Sequence, residues 1–221
     1  MNSINKTSRI LGIAFLLQFV TSFTNGAFLL NSLIVPEDIG KSMINIANNT
    51  LLFRAYILVD MLTALGIIFL GAILFLTLRK QNENIAFVAL GFYILEAALL
   101  AASRIEAFSL LQISQEYVTA GFPDYLQTMG GWAFESMNFV GSTLHMLVFC
   151  LGAILFYYLL DKSRIVPRVL SLWGLVTVPF LLIWTLLAIF GYEVPFFLYL
   201  PYVPFELVIG IWILVKGIKD A

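Results

Sequence analysis

Ionisable side chains stand inside stretches of this sequence that are otherwise almost wholly apolar. In a membrane-spanning helix such groups are costly, so they indicate a functional site by default. Carboxylates, an arginine and a histidine could exchange protons, bind a cation or hold an anionic group. The candidate ligand-binding residues are Asp60, Glu96, Arg104, Glu135, Asn138, Ser142, His145 and Glu206.

The most regular pattern among these candidates is formed by Glu135, Asn138, Ser142 and His145. Their spacings are 3, 4 and 3 residues. At 3.6 residues per turn this spacing predicts a single polar stripe along one helix face. Lipid cannot satisfy such a stripe, so we expect it to face other helices or water.

Asp60 and Glu96 together with Arg104 allow two interpretations. They could form a buried ion-pair network that fixes helix packing, or they could serve a ligand. Carboxylates outnumber cations in this part of the chain, so some must be protonated, hydrated or neutralised by a bound cation. The acids are Asp60, Glu96, Glu106, Glu135 and Glu206, and the cations are Arg54 and Arg104.

Several kinds of chemistry are disfavoured by what the sequence contains. His145 is the only histidine and Cys150 the only cysteine, whereas catalytic zinc usually takes three protein ligands, two or three of them histidines. The sequence therefore predicts no metal site, no cofactor and no internal disulfide. It has no Gly-rich phosphate loop or nucleophile elbow, and no basic cluster that would suit nucleic acid.

The composition is that of a membrane protein. Of 221 residues, 61% are hydrophobic and only 11% are charged, and the mean hydropathy is +0.98. Soluble domains carry roughly 25% charged residues. Stretches of about 20 apolar residues can cross the bilayer. Six such stretches predict an all-α, six-helix transmembrane bundle in a single domain, with spans at about 10–30, 54–78, 85–111, 133–160, 169–191 and 203–218.

Basic residues are distributed unevenly between the connections. Cytoplasmic loops carry an excess of lysine and arginine, which predicts that both termini lie in the cytoplasm and that the protein is a multi-pass protein of the cell membrane. The opposite side has Lys41, with Arg54 at a helix mouth. The basic residues of the predicted cytoplasmic side are Lys6, Arg9, Arg79, Lys80, Lys162, Arg164, Arg168, Lys216 and Lys219.

The depth of the polar residues predicts a pocket. At about 1.5 Å per residue, Glu96 and His145 fall near the membrane midplane, and the other candidates fall in the outer half. The inner half is almost bare of polar side chains. We therefore expect a polar pocket that opens outward and is closed on the cytoplasmic side by apolar packing. Tyr157 and Tyr202 are expected to be interface anchors.

Two smaller features also carry expectations. Pro36-Glu37-Asp38 resembles a helix start, and the apolar face that follows predicts a helix lying on the outer membrane surface. The hexapeptide Leu-Gly-Ala-Ile-Leu-Phe occurs twice, at 70–75 and 151–156. A duplication is one explanation, but coincidence in a small apolar alphabet is the preferred one.

Short motifs near the cytoplasmic side and the C-terminus resemble a known family. They are Leu155-Phe156-Tyr157-Tyr158-Leu159-Leu160, then Lys162-Ser163-Arg164, Pro167-Arg168 and Leu170-Ser171-Leu172-Trp173-Gly174-Leu175, and finally Phe205-Glu206-Leu207, Ile211-Trp212 and Lys216-Gly217. The chain is similar to prokaryotic multi-pass membrane proteins catalogued as domain of unknown function 4386. This resemblance implies a helical membrane protein and no particular activity.

Two functional hypotheses remain open at the level of sequence. In the first, the outward pocket binds a small solute, a cation or a lipid headgroup, and the protein is a receptor, sensor or transporter. In the second, the protein is an intramembrane enzyme that modifies lipid. Glu96 or Asp60 would then be the general acid or base, with His145 as partner and Arg104 as anchor for an anionic headgroup. The bilayer is the expected partner, and the oligomeric state is left open.

Overall fold

Helices provide all the regular secondary structure in the part of the chain that the computed structural model describes, residues 6–192, 194 and 198–219. The predicted all-α fold is confirmed for these residues. Eight α-helices and two π-helical segments follow each other there: α1 (Lys6–Thr24), π1 (Asn25–Leu30), α2 (Ile39–Asn48), α3 (Thr50–Leu78), α4 (Glu83–Thr119), α5 (Asp124–Asn138), π2 (Phe139–Leu144), α6 (His145–Ser163), α7 (Arg168–Ile189) and α8 (Val203–Lys216).

Among the described residues, five helical stretches are long and apolar enough to cross a membrane, which makes this a multi-pass membrane protein. They coincide with the first five predicted spans and run over Lys6–Leu30, Thr50–Leu78, Glu83–Thr119, Asp124–Ser163 and Arg168–Ile189. The predicted sixth span, 203–218, contains only α8, whose 14 residues cover about 21 Å of a hydrocarbon layer of about 30 Å. The count of six spans stays a prediction.

One end of the bundle, here called the basic end, collects the positively charged connections. The backbone N–H of Ile218 donates to Ser8 Oγ at 3.1 Å, and Lys162 Nζ donates to the Gln81 carbonyl at 3.4 Å. The backbone N–H of Lys219 donates to the Ile165 carbonyl, just after α6, at 3.0 Å. Together these contacts bring the first turn of α1, the α3–α4 turn, the end of α6 and the residues after α8 to the same end. These segments are far apart in the sequence and come together only in the folded bundle.

The short helix α8 packs antiparallel along α1 at close range. A Cβ atom on Gly12 would lie 2.8 Å from the backbone nitrogen of Leu214, and one on Gly210 would lie 3.0 Å from Leu16 Cδ2. Such distances leave no room for larger side chains. Small residues therefore let the two helices approach closely, as is common between helices in membranes.

The residues that lead into α8, 198–202, return into the bundle. Pro201 lies just before α8, and its carbonyl accepts a hydrogen bond of 2.9 Å from Trp173 Nε1. Trp173 stands five residues after Arg168, where α7 leaves the basic end. Because α8 begins next to these residues, a short helix is enough to reach the basic end. Non-helical backbone at such depth needs protein contacts for its polar groups.

Tight packing surrounds Tyr93 in the half of the bundle nearer the basic end. A Cβ atom on Gly71 would lie 2.9 Å from Tyr93 Cβ, and one on Gly152 would lie 2.8 Å from Tyr93 Cδ2. Tyr93 of α4 is thus held between α3 and α6, and only 2% of it is exposed. Gly71 and Gly152 are the second residues of the two Leu-Gly-Ala-Ile-Leu-Phe copies, so both copies supply the space for one tyrosine.

Helix α2 belongs to a small cap beyond the main bundle. Asp38 is its N-cap and accepts from the Lys41 backbone N–H at 2.9 Å. A hydrogen bond from the Lys41 side chain lowers the pKa of the Asp38 carboxyl. Met43 and Ile46 of α2 are fully buried in a second hydrophobic cluster with residues of α3, α4 and α5. The sequence predicted that the apolar face of α2 would lie on the membrane surface. In the structure this face packs on protein instead.

Candidate functional site

A cavity of about 360 Å³ lies among the spanning helices, where seven helical segments and the turn before α8 converge. We call it the central cavity. Its apolar wall includes Ile67, Leu100 and Met146. Its polar wall is drawn from α1, π1, α3, α4, π2, α6 and α7, and from the segment that returns before α8. The polar residues are Gln18, Ser22, Asn25, Tyr56, Asp60, Thr63, Arg104, Ser142, His145, Trp184 and Tyr199.

An ion pair forms part of this wall. Arg104 Nη1 lies 2.6 Å from Asp60 Oδ2, and the guanidinium donates to Ser103 Oγ from both Nε and Nη2, at 3.1 and 2.8 Å. The guanidinium also stacks over the Tyr56 ring, 4.7 Å from its centroid. Asp60 is the only carboxylate paired with Arg104 in the described part of the chain. The ion-pair interpretation thus holds for these two residues, and Glu96 is not part of the pair.

Both π-helical segments border the central cavity. In each of them a backbone N–H bonds to the carbonyl five residues earlier, from Asn31 to Gly26 and from His145 to Val140. This wider turn recurs at functional sites. In π2 it brings Gly141 against Arg104, since a Cβ at Gly141 would lie 2.6 Å from Arg104 Nη2. No pattern in the sequence signalled either segment.

Buried polar atoms of the cavity wall have no hydrogen-bond partner among the described residues. Among them are Gln18 Oε1, His145 Nδ1 and Trp184 Nε1. Buried polar groups in folded proteins nearly always have partners, in protein, water or ligand. An acceptor, an indole donor and an imidazole nitrogen therefore surround a space that can receive a hydrogen-bonding molecule. The candidate ligand-binding residues predicted from the sequence include His145 but neither Gln18 nor Trp184.

The structure divides the predicted stripe between two places. Ser142 and His145 line the central cavity, Asn138 is half-buried, and Glu135 is exposed in a separate groove of about 380 Å³ beside Asp124. The spacing of 3, 4 and 3 gives one face only on a regular α-helix. The π2 segment lies between Asn138 and His145, and its wider turn shifts the two halves out of phase.

Glu206 lies in a second cavity next to the central one. It accepts a hydrogen bond of 2.7 Å from the Tyr202 hydroxyl, which is itself 2.9 Å from the Tyr157 hydroxyl. Tyr157 is fully buried and Tyr202 is 6% exposed, so neither is the interface anchor that the sequence predicted. Their hydroxyls satisfy each other inside the bundle. This pairing depends on the return of the chain before α8, and no local sequence pattern predicts that return.

Glu96 is buried away from the lining of the central cavity. Only 4% of the residue is exposed, and its Oε2 atom has no hydrogen-bond partner among the described residues. In the described part of the chain, no group of three or more histidine, cysteine, aspartate or glutamate residues could hold a metal ion. The candidates that the fold brings together around one space are therefore Asp60, Arg104, Ser142 and His145.

Comparison with known families decides what kind of chain carries this cavity. The sequence profile described as "Domain of unknown function (DUF4386)" matches residues 10–217, nearly the whole length. The chain belongs to this family. The match spans α1 to α8, so a DUF4386 domain contains every segment that lines the central cavity. No curated protein and no solved structure matches the chain. The DUF4386 description names no activity, so function has to be argued from the cavity itself.

Proposed function

We propose that this DUF4386 protein is a receptor, sensor or transporter of the cell membrane that binds a small polar ligand in the central cavity. The observation that carries the proposal is the set of buried polar atoms without partners, Gln18 Oε1, His145 Nδ1 and Trp184 Nε1, around one space. Leaving such groups unpaired costs about 1–3 kcal/mol each. A ligand with donors and acceptors, either a small solute or a lipid headgroup, removes that cost when it binds.

The charges of the cavity favour an uncharged or zwitterionic group. Arg104 and Asp60 compensate each other at 2.6 Å, so neither is available as a free counter-ion. A simple cation would need several oxygen ligands, and the described residues of this wall offer one carboxylate that is already paired. Of the three ligand types that the sequence left open, the hydrogen-bonding solute or headgroup fits best.

The enzyme hypothesis receives less support. A general acid or base must reach the reacting atom. Asp60 is held by Arg104, and Glu96 lies outside the lining of the cavity. Of the three acid–base candidates that the sequence named, only His145 faces the space without an ion-pair partner. Binding therefore ranks above catalysis.

His145 is the side chain that tests the binding proposal. In protein purified without glycerol, saturation-transfer NMR should detect glycerol, a neutral probe, more strongly than choline or acetate. His145→Leu removes one hydrogen bond of about 1–1.5 kcal/mol, so the affinity for glycerol should fall about fivefold to tenfold. The fold should persist, because leucine restores the apolar packing of the ring.

Leu147→Ala provides the matched control. Leu147 is half-buried on the same helix, about 200° around from His145, and it does not line the central cavity. We expect glycerol binding to be unchanged in this variant. Equal transfer to glycerol in the wild type and in His145→Leu would contradict the proposal, because the cavity would then not be the binding site.

The proposal includes a topology in which both termini are cytoplasmic and the cavity opens outward. The gathering of basic residues at one end of the bundle supports it through the excess of lysine and arginine in cytoplasmic loops. In this topology α8 and the returning segment before it together make the sixth crossing. The whole chain then forms a single transmembrane domain.

Labelling of single cysteines on intact cells tests this topology. In a Cys150→Ala background, cysteine at Asn48 should react with a membrane-impermeant maleimide, and cysteine at Asn84 should react only after permeabilisation. Both side chains are exposed. Asn82 in the same turn is less suitable for labelling, because it caps α4 by accepting a hydrogen bond of 3.1 Å from the Ile85 N–H. Labelling of both positions from outside would contradict the six-span arrangement.

A further inference from the structure

The second cavity, here called the side pocket, has about 330 Å³ and lies between α1–π1 and the start of α8. It differs from the central cavity in having an apolar rim, formed by Phe19, Phe23, Ala27 and Val203. Phe23 is 47% exposed, and Ala27 is exposed as well. At the level of a spanning helix, an exposed apolar surface of this kind meets lipid chains.

The side pocket and the central cavity are neighbours that share part of their walls. Ser22, Gly26 and Tyr199 line both. Gly26 lies in π1, and a Cβ atom added to it would meet nothing within 4 Å. The space at Gly26 is therefore open, and Gly26 lies where the side pocket and the central cavity adjoin.

We infer that the ligand is a single-chain amphiphile that enters sideways from the bilayer. This inference rests on the proposed function. Its acyl chain occupies the side pocket beside Phe19 and Phe23. Its uncharged, hydrogen-bonding head passes Gly26 and reaches Gln18 and His145 in the central cavity. Monoacylglycerols belong to this chemical class.

Two features of the walls determine the selectivity for this class. The compensated pair of Arg104 and Asp60 offers no net charge to the head, which disfavours a fatty acid or a long-chain amine. Glu206, the acid of the side pocket, is held by Tyr202 at 2.7 Å, and Tyr157 holds Tyr202 in turn at 2.9 Å. This chain of hydrogen bonds fixes one wall of the pocket in place.

Photo-crosslinking in lipid nanodiscs tests the inference. The protein is placed in phosphatidylcholine nanodiscs with a long-chain 1-acylglycerol that carries a diazirine near the end of its chain. We expect crosslinks to concentrate on the peptides that contain Phe19, Phe23 and Val203. Unlabelled monoolein should compete, whereas oleylamine and oleate should compete at least about tenfold less well, a difference of about 1.4 kcal/mol.

Gly26→Leu should narrow the opening and reduce crosslinking about tenfold. The matched control is Gly91→Leu, because Gly91 is also a helical glycine with nothing within 4 Å of an added Cβ, but it lies on the exposed side of α4. Both variants should keep the thermal stability of the wild type, since neither added side chain meets protein atoms at its Cβ. Ala27→Phe, which fills the rim of the same pocket, gives a second variant if Gly26→Leu folds poorly.

The possible failures are distinguishable. Crosslinks spread over the whole lipid-facing surface, and equal in Gly26→Leu and Gly91→Leu, would overturn the lateral amphiphile while glycerol binding by the central cavity remained intact. Better competition by oleylamine would overturn the uncharged head and point to Glu206 as the recognising group. If glycerol binding is the same with and without the His145 side chain, the proposed function itself is rejected.

Discussion

Asp60→Asn is expected to lower the free energy of unfolding by about 3–5 kcal/mol, the usual cost of leaving one member of a buried ion pair without its partner. Arg104 is 5% exposed, and Asp60 is its only ion-pair partner among the described residues. Asparagine keeps the volume and removes the charge. The measurement is the unfolding free energy of the purified protein in mixed micelles, by titration with a denaturing detergent.

Two further variants separate charge from packing. The double variant Asp60→Asn, Arg104→Gln removes both charges, so we expect it to be more stable than Asp60→Asn alone. Thr63→Val changes a polar residue one turn away on the same wall and removes only a hydrogen bond of 2.9 Å to the Val59 carbonyl. It should cost about 1 kcal/mol or less. If Asp60→Asn is as stable as the wild type, some other group neutralises Arg104 and the pair has been misassigned.

Gly152→Ala is expected to destabilise the protein by about 1–3 kcal/mol, the cost of overpacking a well-filled core. The new Cβ would lie 2.8 Å from Tyr93 Cδ2 and 3.0 Å from Phe92 Cβ, so the tyrosine ring has to move. Gly71→Ala should cost at least as much, because its new Cβ would lie 2.9 Å from the less mobile Tyr93 Cβ. Thermal unfolding of each variant in detergent gives the comparison.

Gly91→Ala is the control for intrinsic helix propensity. Open space surrounds this glycine, so alanine should be neutral or should stabilise the helix by up to about 1 kcal/mol. Tyr93→Leu should restore part of the stability lost in Gly152→Ala by vacating the ring's space. If Gly152→Ala and Gly91→Ala behave alike, the bundle is looser at Tyr93 than these distances imply.

Composition and the spacing of apolar residues were sufficient for the class of fold. The first five predicted spans coincide with helices long enough to cross a membrane, since about 20 apolar residues have few stable alternatives to a helix in lipid. The pairing of Asp60 with Arg104 was one of two explanations derived from residue types alone.

Other features depended on contacts between segments far apart in the chain. The π2 segment moved Ser142 and His145 out of phase with Glu135, and a periodicity argument that assumes 3.6 residues per turn cannot detect such a change. The return of the chain before α8 buried Tyr157 and Tyr202 against each other, although tyrosines near helix ends usually mark the membrane interface.

The sequence by itself determined that this chain is a helical, multi-pass membrane protein with costly polar groups in its spans, because hydropathy and charge are properties of each residue in its own segment. Only the tertiary structure decided which of those groups meet. Gln18 and Trp184 join His145 around one cavity, while Glu96 and Glu135 lie elsewhere. The physical reason is that helix rotation and depth are set by packing between helices, through glycines such as Gly12 and Gly141 that admit a neighbour at close range.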